Sequence, residues 1–131
     1  GLKDACHRFQ LAAGIFKCVK DLLSSGVVGT LTQDLIPDGL NAVTVLMLAQ
    51  AQACFYEKAV RDRAKNKLKP GIIAKLAAKS GEFYQQALGY MHGPNLARGL
   101  DRSWAGHVEF QAYAFEAAAN YWEVHTVWGW G

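Results

Sequence analysis

Two blocks decide the reading of this chain: residues 46–65, LMLAQAQACFYEKAVRDRAK, and residues 69–88, KPGIIAKLAAKSGEFYQQAL. The first is apolar on more than one face, with Leu46, Met47, Cys54, Phe55 and Val60 interleaved with Ala49, Ala51 and Ala53. A helix that lacks a polar side is one enclosed by neighbours, and small residues let those neighbours approach closely. The pattern predicts a central helix over about 38–64, opened by the turn residues Pro37-Asp38-Gly39. In the second block Pro70 suits the first turn of a helix, where its missing N–H costs nothing. Ile72, Ile73, Leu76, Ala77, Phe83, Tyr84, Ala87, Leu88 and Met91 continue that helix until His92-Gly93-Pro94 stops it. Gly81 lies inside it and weakens it by about 1 kcal/mol relative to Ala, which close packing has to offset.

The flanks repeat the pattern. Leu2, Cys6, Phe9, Ala13, Phe16 and Leu23 form one apolar stripe, predicting a helix over about 2–23 that Ser24, Ser25, Gly26 and Gly29 terminate before a loop. Trp104, Val108, Gln111, Phe115, Ala119 and Trp122 form another, on a helix beginning near Asp101. The final stretch from His125 to Gly131 shows no helical logic. With 131 residues, 51% of them apolar and only three prolines, the chain suits one all-α unit of antiparallel helical hairpins. A bundle and a solenoid-like stack both fit. No strict 34-residue repeat aligns.

Charge is unevenly placed. Between Glu57 and Lys79 eight Lys and Arg stand against two acids, net +6, whereas the rest of the chain carries six against nine, net −3. A focused basic region points to an anionic partner or to a solvated helix end. Catalytic chemistry finds little support. His7, His92, His107 and His125 lack metal-binding spacing, no Gly-rich phosphate loop occurs, and Cys6 beside His7 points away from it on a helix. Cys6, Cys18 and Cys54 leave one thiol unpaired in any disulfide scheme, which suits a reducing compartment. The uncharged run from Gly39 to Tyr56 is interrupted by Asn41, Gln50 and Gln52 and reads as a buried helix, not a membrane span. No basic-then-apolar leader argues for secretion.

The two deciding blocks, flanked by GLKDACHRFQLAAGIFKCVKD and SWAGHVEFQAYAFEAAANYW, closely resemble the central part of the Bro domain of Alix, PalA and related endosomal-sorting adaptors, over about residues 1–122. The resemblance implies a tetratricopeptide-like solenoid portion of a larger curved domain, so residues 1–131 read as a partial Bro domain with an atypical tail at 123–131. The turn from Arg63 to Lys69 is a few residues longer than the family's usual one. The implied activity is binding without catalysis, metal or cofactor, in the cytoplasm and on endosomes. The implied partner is the C-terminal amphipathic helix of an ESCRT-III subunit.

Carried over by position, the resemblance assigns Lys3, Phe55, Lys58, Ile72 and Leu76 to the partner-binding groove. The helix spacing agrees with a shared surface: Phe55 and Lys58 end one helix, Ile72 and Leu76 begin the next, and an antiparallel first helix brings Lys3 to the same end. By pattern alone Phe55, Ile72 and Leu76 read as core. The competing reading is a basic surface for anionic membrane or nucleic acid: the +6 segment speaks for it, and the lack of exposed aromatics interleaved with the cations speaks against it. Anionic endosomal membrane stands as a further partner, and nucleic acid is not expected.

Overall fold

The computed structural model describes residues 1–24, 37–94, 96 and 102–129. Within them the elements are all helices: α1 (Leu2–Ser24), α2 (Pro37–Arg61), the single turn α3 (Arg63–Asn66), α4 (Pro70–Met91) and α5 (Arg102–Trp128). The expected loop after Ser24 lies outside the described residues, as do Asp101 and the last two residues.

The long helices form a row in which α1 packs on α2, α2 on α4 and α4 on α5. Each neighbour runs antiparallel to the last. Cys6, early in α1, lies beside Cys54, late in α2. The Gln52 side-chain amide donates to the Leu76 carbonyl at 3.5 Å, joining the end of α2 to the start of α4. A Cβ on Gly71 would sit 3.6 Å from Thr126, and one on Gly81 would sit 3.6 Å from Phe115, so α4 and α5 run in opposite directions. In a closed bundle α1 and α5 would meet and bury both outer faces. Here both stay open: Leu11, Ile15 and Leu22 are exposed on α1, and Phe110, Tyr113, Tyr121 and Val124 on α5. The architecture is the solenoid-like alternative.

The core reflects the helix spacing. Small residues line the closest approaches, with Ala49, Ala77, Ala87 and Ser80 fully buried, and larger groups fill the spaces between: Ile73, Tyr84, Leu88, Met91, Val108, Phe115 and Trp122. Phe115 stacks on Tyr84 at 5.7 Å and meets Tyr56 edge-on at 5.4 Å, which are favourable aromatic geometries.

Three expectations are revised. Trp104, assigned to the inward stripe of the last helix, is 58% exposed. The Gly71–Thr126 and Gly81–Phe115 register puts Met91, the end of α4, level with about residue 105, so Trp104 overhangs its packing partner. The tail continues as helix through Trp128, because Thr126 packs on Gly71 and returns its hydroxyl proton to the Trp122 carbonyl at 3.0 Å. The stop comes at Gly129, whose φ of 67° is the left-handed conformation that favours glycine after a helix. The central helix closes at Arg61, three residues early, where Asp62 adopts φ −94°, ψ 8° and the chain restarts as α3.

Gly81 meets Phe115 Cβ at 3.6 Å and the Ala112 carbonyl at 3.7 Å when a Cβ is added, both ordinary van der Waals distances. Gly81→Ala should therefore recover helix propensity without a clash and stabilise the fold by about 0.5–1 kcal/mol, read as a higher melting temperature. A lower one would mean that α4 and α5 approach more closely than this.

Candidate partner-binding surface

One end of the row gathers the start of α1, the end of α2, α3, the start of α4 and the end of α5. The connection that builds it is compact. Asn66 N–H bonds to the Asp62 carbonyl at 2.9 Å, Leu68 N–H to the Arg63 carbonyl at 3.2 Å, and Lys67 reverses the chain at φ 52°, ψ 40°. Lys69 is then extended and Pro70 starts α4 at its first position.

On this end two pairs of adjacent residues are split between core and surface, since neighbours on a helix point about 100° apart. Tyr56 turns inward, where its hydroxyl accepts the Trp122 indole N–H at 3.1 Å. Phe55 turns outward and is 42% exposed. Ile73 is fully buried with Ala59, Ala74 and Trp122, and Ile72 is 47% exposed. Leu76 is half-buried against that same cluster. Its carbonyl accepts from the Gln52 amide and, at 3.1 Å, from the Ser80 hydroxyl. Lys3 is exposed in the first turn of α1.

Lys58 is half-buried and already engaged. Its ammonium lies 2.6 Å from an Asp62 carboxylate oxygen, with Arg61 on the other oxygen at 3.6 Å. The Lys58 hydrogen bond, reinforced by the nearby Arg61 charge, holds the Asp62 carboxyl below the usual carboxylate range. An acidic partner reaching Lys58 therefore competes with Asp62. Of the five expected groove residues, Phe55, Lys58, Ile72 and Leu76 flank one α2–α4 junction, and Lys3 stands at the same end on the outer helix.

Two features had no counterpart in the sequence reading. A second groove, with a cavity of about 500 Å³, runs between α4 and α5, floored by Gly81, Ala112 and Ala119 and edged by Glu82, Glu116 and Glu123. Its residues are spread over two helices, so only the register brings them together. Trp122, a stripe residue by periodicity, also carries the Arg63 guanidinium over its ring at 5.3 Å, a cation–π contact. Cys6 is a poor nucleophile: burial pushes its thiol up, and the neighbouring Cys54 adds to the effect. Among the described residues no cluster of three His, Cys, Asp or Glu can hold a metal ion, and no helix is long and apolar enough to cross a membrane.

An open row of antiparallel helices with large apolar groups exposed beside cations at one end defines an α-solenoid scaffold. The chain belongs to the BRO1-like domain family, which matches residues 1–126. It is 35% identical over 121 residues to the ALG-2 interacting protein X of Dictyostelium discoideum, covering 92% of this chain and 15% of that protein. It is 40% identical over 124 residues to the pH-response regulator protein palA/RIM20 of Saccharomyces cerevisiae, covering 92% of this chain and 17% of that one. A crystal structure of ALIX in complex with the SIVmac239 PYKEVTEDL late domain superposes with a TM-score of 0.81 at 31% identity, over 94% of this chain and 17% of that chain. The chain thus spans about a sixth of the length of these relatives.

Trp122 is buried, and its indole N–H has the Tyr56 hydroxyl as its partner in a partly buried hydrogen bond. Tyr56→Phe leaves that donor unsatisfied and should cost about 1–3 kcal/mol of folding stability, measured by denaturant or thermal unfolding. An unchanged stability would show that the bond does not hold the two helices.

Proposed function

We propose that this chain is part of a Bro-type adaptor and docks the C-terminal amphipathic helix of an ESCRT-III subunit at the α2–α4 junction, on the cytoplasmic side of endosomes. The observation that carries the reading is the outward placement of Phe55 and Ile72, 42% and 47% exposed, next to Lys58. An amphipathic helix laid across this junction can bury its apolar face on Phe55, Ile72 and Leu76. Its acidic edge would meet Lys58 and Lys3. Membership of the BRO1-like family supports the same partner class. The work of the surface is binding and not chemistry, so affinity should rest on a few buried apolar anchors with the charges governing encounter.

Ile72→Asp is the sharpest test. Ile72 is in the first turn of α4, where a carboxylate is favourable to the helix dipole, and it faces solvent, so folding should be unaffected. Binding of an acidic amphipathic helix should lose about 2 kcal/mol, or about 30-fold in affinity, because the partner's apolar face would have to dehydrate an unpaired charge. Unchanged melting with lost binding supports the groove. Intact binding, or a collapsed melting temperature, contradicts it.

Asp62→Asn addresses the charge. Removing the competitor for Lys58 should raise affinity for the same helix about threefold, with the gain disappearing at high salt. Equal affinity in the variant at low salt would mean that Lys58 takes no part in the contact.

A further inference from the structure

The basic turn and the last turns of α5 come together at the same end of the row. Arg63, in α3, lies over the Trp122 ring at 5.3 Å, and Gly71 of α4 faces Thr126 of α5. Between Arg61 and Lys69 five cations stand against one acid, net +4. Arg61, Lys65, Lys67 and Lys69 are all exposed. The one acid, Asp62, is engaged by Lys58 and Arg61. Six residues beyond Trp122, about 9 Å along the helix, Trp128 ends α5. It is 68% exposed, with Val127 at 80%, Val124 at 45% and Tyr121 at 57%. Glu57, near the end of α2, and Glu123, near the end of α5, are exposed acids.

We propose that this end of the molecule is a membrane-docking tip for anionic lipid surfaces, in which Lys65, Lys67 and Lys69 meet the lipid phosphates and carboxylates while Trp128 and Val127 enter the interfacial layer. A bilayer surface is graded in the same order as the tip: anionic headgroups outermost, and a boundary layer beneath where indole rings and small aliphatic groups are stable. Clustered lysines contribute additively to attraction by an anionic leaflet, and aromatic insertion supplies the part that salt does not screen. An acidic peptide without apolar groups would engage the cations but gives no role to Trp128, Val127 and Val124, and the amphipathic helix proposed above is seated on Phe55, Ile72 and Leu76 instead. Single-stranded nucleic acid could stack on Trp128 but offers nothing to the valines. The tip uses residues other than Phe55, Ile72 and Leu76, so it does not depend on helix docking at the α2–α4 junction.

The test is vesicle flotation of the intact chain with phosphatidylcholine alone and with about 30% phosphatidylserine added. Two variants accompany it: Lys65→Gln/Lys67→Gly/Lys69→Gln, where glycine keeps the left-handed Lys67 conformation, and Trp128→Ser. Both change exposed positions, and a thermal melt of each confirms the fold. Binding should require phosphatidylserine, fall about 100-fold in the lysine variant and at least about fivefold in Trp128→Ser, and the blue shift of tryptophan fluorescence on vesicles should shrink in Trp128→Ser. The proposal is overturned by equal binding to both vesicle types, by indifference to the lysine variant, by indifference to Trp128→Ser, or by single-stranded DNA displacing the protein from vesicles with the same dependence on both variants. For the unmodified chain, binding to anionic vesicles should weaken as salt rises, and salt-insensitive binding would also overturn it.

Discussion

A hydrogen bond from the Trp122 indole N–H to the Tyr56 hydroxyl joins two helices that are not neighbours in the row. Between them stands α4, over which Tyr56, Phe115 and Trp122 meet. For side chains of α2 and α5 to touch across α4, the row has to bend toward one face. That bend is the constraint inherited by the end that carries Phe55 and Ile72. Because Tyr56 is drawn inward to Trp122, Phe55, one residue earlier and about 100° around the helix, has to face out. Because Trp122 is fixed, Arg63 can lie on its ring and the basic turn is held beside the end of α5.

The central helices also approach one another closely. Ala49, Ala77, Ala87, Ser80 and Gly81 bring backbones together but contribute little apolar surface each. The larger groups that supply most of the burial are concentrated in the wedge between α2, α4 and α5. Other large apolar groups are left at the surface, many of them along the open edges of α1 and α5 or at the α2–α4 junction.

Much of this was legible in the residues. The stripes of α1 and α4 have strict helical spacing, and Pro70 and His92-Gly93-Pro94 mark the ends of α4, so those elements follow from periodicity and turn chemistry. The choice between a closed bundle and an open row did not follow, because both bury the same stripes and differ only in whether the outer faces of α1 and α5 meet. Nor did the direction of Phe55 against Tyr56 or of Ile72 against Ile73: α2 is apolar on most sides, and both members of each pair look like core. Trp104 was misread because periodicity knows nothing of where the neighbouring helix ends. The tail was misread because two closely spaced glycines, Gly129 and Gly131, obscured Thr126 and Trp128, whose helical conformation depends on the tertiary contact with Gly71. The groove residues came from resemblance, and spacing alone could place them on one end but not in one role.

The account's central claim is that a helix docks where α2 gives way to α4. The most direct measurement is backbone-amide NMR of the chain during titration with an acidic amphipathic helix. Shift changes centred on Phe55, Lys58, Ile72 and Leu76, with smaller ones at Lys3, are the expected result. Changes confined to the groove edged by Glu82 and Glu116, or none at a large excess of helix, would contradict it.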